Sequence, residues 1–255
     1  MTEPRIVLFD IGSTLWSSPP EDPGALSYCY SRGREIIGRA IASPPPVEAL
    51  IEAVEGYFAE WEDIWRVDAS RVLQGPTAGF VAAALAKLNL ELSPDVVAAF
   101  TDAILETSIY TAKVEPPEPG MKEALAELRG RGLRLGCVSN AFMPAGALHR
   151  IMEERGLGPY LDLTVSSCEF GHRKPHPSIY EAALKGLAAS AQEAIFVGDR
   201  LDADVEGPAL LGMRTVLTHQ YRQEDPALVK VRPDHVISHL RELVPYVDSL
   251  LTNQG

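Results

Sequence analysis

Residues 6–15 read Ile6-Val7-Leu8-Phe9-Asp10-Ile11-Gly12-Ser13-Thr14-Leu15. Four consecutive apolar side chains predict a short strand covered on both faces, as in a parallel sheet. The run stops at an aspartate, and Gly12-Ser13 supplies a turn. A carboxylate at the C-terminal end of a parallel strand lies at the sheet edge where open α/β folds hold their ligands. Strand, Asp and Gly in succession also serve simply to cap a turn, so the meaning of Asp10 depends on what the rest of the chain brings to the same edge.

Three later segments have the same character. Leu133-Arg134-Leu135-Gly136-Cys137-Val138-Ser139-Asn140 is a strand ending in small polar residues, and Ala194-Ile195-Phe196-Val197-Gly198-Asp199 runs into the acidic turn Arg200-Leu201-Asp202-Ala203-Asp204. Between them, Gly171-His172-Arg173-Lys174-Pro175-His176-Pro177 is a basic loop stiffened by two prolines. Further strands are expected at 163–166 and 215–217, and a short edge strand at 234–237. Helical stretches at 120–131, 145–155, 177–187 and 202–211 separate most of them. This alternation predicts an α/β fold with a Rossmann-like, doubly wound, mostly parallel sheet. Gly212 is placed to end the helix before the fifth strand. Ser238 is expected to cap a final helix that Pro245 interrupts.

The connection from the first strand to the second is far too long for one crossover helix. Residues 17–118 offer about four amphipathic helical segments, at 25–42, 47–65, 77–90 and 94–112, punctuated by Pro19-Pro20, Pro44-Pro45-Pro46 and Pro116-Pro117. The expected division is an α/β core from residues 1–16 and 119–255 and an inserted all-α domain over residues 17–118. Trp61 and Trp65, four apart, read as core of the insert. Arg32, Arg34 and Arg39 read as solvated, although their charge suits an anionic substrate.

With 255 residues and 46% hydrophobic composition the chain can bury a substantial core. A net charge of −12 speaks against non-specific binding to nucleic acid or to an anionic membrane surface. No apolar run is long enough to span a bilayer. The N-terminal residues enter the first strand at once, so no signal peptide is expected. Cys29, Cys137 and Cys168 are odd in number and unpaired in spacing, which fits reduced thiols and a cytoplasmic location.

The four segments, in this order and spacing, resemble the four motifs of the haloacid dehalogenase-like hydrolase superfamily. The resemblance runs from about residue 5 to about residue 216 and implies that the inserted helical domain is a cap closing over the active site. For the site it implies an Asp10 nucleophile, Lys174 opposite it, and phosphate contacts from Ser139, Asn140 and Thr14. It also implies a Mg²⁺ ion held by Asp10, Asp199, Asp204 and the Gly12 carbonyl. Residue chemistry agrees with these roles. An aspartate can attack phosphorus and split one hard displacement into two easier ones. Three converging carboxylates repel unless a cation offsets them, and Mg²⁺ prefers such oxygen donors. Lys174 is one of six lysines, and the only one in a proline-fixed turn. Asp202 reads as a helix-start charge.

There is one departure. The family's phosphatases carry Asp-x-Asp in the first motif, and here the second aspartate is Gly12. The general acid–base group it would provide is typically worth ~10²–10⁴ in rate. His172, His176 and Ser13 are candidate replacements. The expectation is a Mg²⁺-dependent phosphatase of a small phosphorylated metabolite with weakened acid–base catalysis. The alternatives are a non-catalytic phosphate-binding or regulatory protein and a dehalogenase-type C–X hydrolase. Dehalogenases of the family need no metal and characteristically have Ser-Asn where this chain has Gly198-Asp199. Phosphonoacetaldehyde hydrolases use a Schiff-base lysine early in the cap, whereas residues 25–42 contain no lysine.

Overall fold

The computed structural model describes residues 2–115, 118–225, 227 and 230–252; Pro116 and Pro117, expected as punctuation, lie outside the described residues. Six strands form one parallel sheet: β1 (Ile6–Phe9), β2 (Arg134–Ser139), β3 (Leu163–Ser166), β4 (Ala194–Gly198), β5 (Arg214–Thr218) and β6 (His235–Ile237). Their spatial order is β3-β2-β1-β4-β5-β6, the doubly wound arrangement with a switch point beside β1. The pleat sends alternate residues of β1 to opposite faces. Val7 and Phe9 enter one apolar core, Ile6 and Leu8 the other. A four-residue strand with no polar side chain is therefore stable only because both faces are covered.

The first core packs under α5 (Met121–Gly130), α6 (Ala145–Glu154) and α10 (Leu243–Thr252), and the second under α8 (Pro177–Gly186). One-turn helices α7 (Ser167–Phe170) and α9 (Gly207–Leu210) lie between strands. Between β1 and β2 stand α1 (Pro23–Gly38), α2 (Val47–Val67), α3 (Thr77–Ala86) and α4 (Pro94–Val114), with no strand among the described residues there. They enclose an apolar core of their own, built on Tyr30, Leu50, Val54, Leu85 and Phe100. Asp22 starts α1 by accepting the Ala25 amide at 2.8 Å, with Pro23 preset in the first turn.

Several local expectations are corrected. The 202–211 helix is instead a π-helical turn over Leu201–Glu206 followed by α9. Gly212 does end α9, with a φ of +90°. Ser238 is not a helix cap: His239 caps a 3₁₀ turn at Leu240–Glu242, its ring nitrogen accepting the Arg241 amide at 3.2 Å. Pro245 lies in the first turn of α10, where no backbone donor is required, and so interrupts nothing. No helix of the described residues is long and apolar enough to cross a membrane.

Candidate active site

Strand register assembles the site. Phe9 pairs with Cys137 on one side and Val197 on the other, so Asp10, Ser139 and Asp199 emerge at the same sheet edge. The Asp10 amide continues the ladder to the Val197 carbonyl at 2.9 Å. The chain then folds tightly, with the Thr14, Leu15 and Trp16 amides all donating to the Ile11 carbonyl. Ser13 is held at a φ of +57°, a conformation that costs energy outside glycine. Thr14 is fully buried, and its hydroxyl has no hydrogen-bond partner among the described residues.

Lys174 is buried and donates at 2.7 Å both to Asp10 Oδ1 and to Asp204 Oδ1. Oxygens of Asp10, Asp199 and Asp204 all lie within 4.8 Å of one another. Asp204 reaches inward because the backbone passes through the π-helical turn, a distortion that often marks functional sites. Its second oxygen accepts the Arg200 amide at 3.0 Å. Ser139 is buried at the end of β2. Asn140 uses its side chain differently from a phosphate ligand: it grips the Lys174 backbone, donating to its carbonyl at 3.0 Å and accepting its amide at 2.8 Å. This clamp fixes the lysine backbone.

The electrostatics follow from that geometry. Burial pushes the Asp10 carboxyl up to about 6; Lys174 opposes the shift and Asp204 adds to it. Burial, and then repulsion from Asp10 and Asp204, raises Asp199 to about 8, although Arg222 stands 3.7 Å away. Burial works against the Lys174 charge, yet attraction to Asp10 and Asp204 outweighs it and holds the ammonium above the usual lysine range. One buried ammonium is thus too little positive charge to keep all three carboxyl groups ionised, and Asp199 is the one pushed furthest toward its protonated form. The donor set is hard oxygen, which fits Mg²⁺ and not a thiophilic metal.

Other candidates are placed elsewhere. Arg34 donates to the Pro45 carbonyl at 2.8 Å, Arg32 lies over the Tyr28 ring, and Arg39 is exposed. His172 and His176 stack with ring centroids 4.1 Å apart, and His176 caps α8. Asp202 is held by Arg200 at 3.1 and 3.0 Å and accepts the Ala203 amide at 2.8 Å. Trp61 packs with Trp65 and Phe80 inside the helical segment. Trp65 does more, meeting Phe142 and carrying the Arg173 guanidinium 3.8 Å from its ring centre.

Sequence reasoning missed Arg173 and Gln74. Gln74, buried between α2 and α3, donates to the Ala141 carbonyl at 2.9 Å and accepts from Ser167 and Arg173 at 2.6 and 2.9 Å. The Arg173 amide donates to the Val72 carbonyl at 2.7 Å, so the Lys174 loop is laced to the helical segment. The neighbouring Lys174 was a signal for Arg173; nothing local marked Gln74. A wider recess of about 360 Å³ lies at the opposite end of the strands, beside Arg5 and Arg134, away from this chemistry.

A family model for haloacid dehalogenase-like hydrolases matches residues 4–212. This chain belongs to that family. As a haloacid dehalogenase-like hydrolase it is 28% identical over 255 aligned positions to a ribulose-1,5-bisphosphate 5-phosphatase from Halopiger xanaduensis, covering 94% of this chain and 98% of that one. It is 32% identical to a glyceraldehyde 3-phosphate phosphatase from Methanocaldococcus jannaschii over 63% of this chain and 71% of the relative. Among solved structures, a 2-haloacid dehalogenase from Pseudomonas syringae pv. Tomato superposes with a TM-score of 0.64 at 22% identity, covering 98% and 100% of the two chains. That likeness establishes the shared fold alone.

Proposed function

We propose that this hydrolase is a Mg²⁺-dependent phosphatase that acts on a small phosphorylated metabolite through an aspartyl-phosphate on Asp10. One observation carries the reading: the Lys174 ammonium sits 2.7 Å from both Asp10 and Asp204, with Asp199 completing a carboxylate cluster. The names of the relatives, phosphatases of small sugar phosphates, support the substrate class. The buried free thiols of Cys29, Cys137 and Cys168 are consistent with a cytoplasmic location.

Asp10, Asp199, Asp204 and the Gly12 carbonyl would hold Mg²⁺, which supplies positive charge against the phosphoryl oxygens. The unpartnered buried hydroxyl of Thr14 is a further polar group available at this end of β1. Asp10 attacks phosphorus, forming the acyl phosphate as the bond to the departing oxygen breaks. Lys174 offsets the charge of nucleophile and phosphoryl group, and the Ser139 hydroxyl and Asn140 N–H donate to phosphoryl oxygens. Water then attacks phosphorus and releases Asp10. At residue 12 there is no group to protonate the leaving oxygen or to activate that water, so turnover favours leaving groups that depart unprotonated. Residues 17–118 act as a cap over residues 1–16 and 119–255. The recess between them beside Lys174 encloses about 20 Å³, little more than one water, so a substrate reaching Lys174 from this side enters when the cap lifts.

The test is hydrolysis of p-nitrophenyl phosphate and a phosphorylated-metabolite panel with Mg²⁺, repeated with EDTA and with Asp10→Asn. Turnover should be lost in both controls. Activity surviving EDTA together with halide release from a haloacid would favour C–X hydrolysis. Activity surviving in Asp10→Asn would remove the nucleophile. The loss of Asp at residue 12 also suits a protein that binds a phosphorylated ligand without turnover, and Mg²⁺-dependent binding with no hydrolysis would establish that reading instead.

A further inference from the structure

We propose that the cleft beside Lys174 binds a second anionic group of the substrate, a carboxylate or a second phosphate, which takes the place of the Glu62 carboxylate on Arg173. The inference rests on the phosphatase reading and narrows its substrate class to phosphoesters with two anionic ends.

The cleft runs against the charge of the whole molecule. The chain carries a net −12, yet Arg66, Arg71, Arg173, Lys174 and Arg200 line this recess against the carboxylates of Glu62 and Asp202. Arg66 and Arg71 stand at the rim, bound to their own helix-end partners Asp63 and Asp68. Arg173 lies inside the recess, and the Arg200 side chain that lines it too is 31% exposed. The Arg173 side chain is only 6% exposed. Burial weakens its charge, the Glu62 carboxylate supports it, and the nearby Arg200 guanidinium weakens it. A guanidinium stays protonated in such a place, so a buried Arg173 with one weak carboxylate contact favours an anion that engages it more fully.

The two carboxylates in the cleft are not equivalent. Asp202 is fixed by a two-pronged pair with Arg200 and by the Ala203 amide. Glu62, on α2, is 49% exposed and touches Arg173 through one contact of 3.3 Å. Arg173 has five N–H donors; Gln74 takes one at 2.9 Å and Glu62 another. Trp65 fixes the plane of the guanidinium from one side, so the fork is oriented before any ligand arrives. Glu62 is therefore a loosely held stand-in anion on an oriented arginine. With about 20 Å³ of free space, an incoming carboxylate or phosphate must displace it.

Position supports the same reading. Arg173 is the residue before Lys174, and Asn140, which clamps the Lys174 backbone, also lines the recess. The two anions of a substrate would thus be separated by a short carbon skeleton.

The test compares phosphoglycolate, ribulose 1,5-bisphosphate and glycerol 1-phosphate, whose second group is a carboxylate, a phosphate and a neutral diol. It measures kcat/KM with Mg²⁺ in the wild type, and dissociation constants for the inactive Asp10→Asn protein by calorimetry. At least one doubly anionic probe should exceed glycerol 1-phosphate by roughly 10- to 100-fold, the worth of a hydrogen bond to a charged group, and the better of the two identifies the second anion. Arg200→Gln should shrink that ratio by about 10-fold, Arg173→Lys should shrink it too, and Glu62→Gln should enlarge it. An arginine that merely secured the helices to the sheet would change all three probes alike. Equal handling of the three probes, or a ratio unmoved in folded Arg200→Gln, overturns the inference while leaving the phosphatase reading intact. A binding preference without turnover overturns the phosphatase reading and keeps the second-anion site; binding of none overturns both.

Discussion

The Asp204 carboxyl group packs directly against the Cα of Gly198, so closely that a β-carbon on residue 198 would overlap it. The last residue of β4 thereby sets the position of a carboxylate six residues later. Gly198→Ala should displace Asp204 from Lys174 while leaving the buried strand intact. The expected loss is on the order of 10²-fold in kcat with weaker Mg²⁺ dependence, read by steady-state kinetics and a Mg²⁺ titration. Gly130→Ala, where an added β-carbon meets nothing within 4 Å, is the control.

Residue 12 accepts a side chain more readily. A β-carbon there would meet the Ser18 hydroxyl at 3.1 Å, one small side chain that can rotate away. Gly12→Asp should raise kcat for simple alkyl phosphates by ~10²–10⁴ and change p-nitrophenyl phosphate much less, since that leaving group departs as an anion. Pairing it with Ser18→Ala removes the one close contact. An unchanged alkyl-to-aryl ratio in a folded variant would show that leaving-group protonation does not limit this enzyme.

Asp199 is held at a cost, by burial and by the repulsion of two neighbouring carboxylates. Asp199→Asn should therefore leave the ion-free protein at least as stable as the wild type while abolishing its response to Mg²⁺. For the wild type, Mg²⁺ at about 100 times its Kd contributes about 2.7 kcal/mol, or roughly 5–10 °C in Tm for a chain of this size. Thermal unfolding with and without Mg²⁺ decides; a wild type indifferent to the ion would count against the carboxylate cluster as its site.

Glu55, within the helical segment, accepts the Tyr30 hydroxyl at 2.5 Å. Burial raises its carboxyl, the Tyr30 hydrogen bond opposes this, and Glu21 adds to it. A raised carboxyl holds a proton in the folded chain that the unfolded chain releases. Its contribution is thus fully present below the ordinary glutamate value and is lost as pH rises through the folded one. Glu55→Gln keeps the acceptor and removes the charge. It should raise Tm at pH 8, by about 2–4 °C for each ~1 kcal/mol relieved, and do little at pH 4.5. Equal shifts at both pH values would assign the effect to packing instead.

Much of this was written locally. The apolar runs at Ile6–Phe9 and Ala194–Gly198, each stopped by an aspartate, specify strands whose polar ends share an edge once the sheet is parallel. The helix expected at 25–42 was legible in kind, while its start behind Asp22 and its end at Gly38 were not. At 202–211 helical composition misled, because the register shift that turns Asp204 inward depends on the space beside Gly198 and leaves no mark in propensity.

The sequence by itself determined a doubly wound sheet, an all-helical insertion, and the residue types Asp10, Lys174, Asp199 and Asp204 at strand ends and in one stiff loop. Only the tertiary structure decided that Arg173 lies between Gln74 and Glu62, partners 99 and 111 residues away, and that Asn140 holds a backbone. The Arg173 contacts form only once the helical segment has docked on the sheet, and the Asn140 grip only once the end of β2 meets the Lys174 loop, so no local pattern encodes them. Strand ends are fixed by the chain's own periodicity, but the chemistry of the cleft is fixed by which surfaces come together.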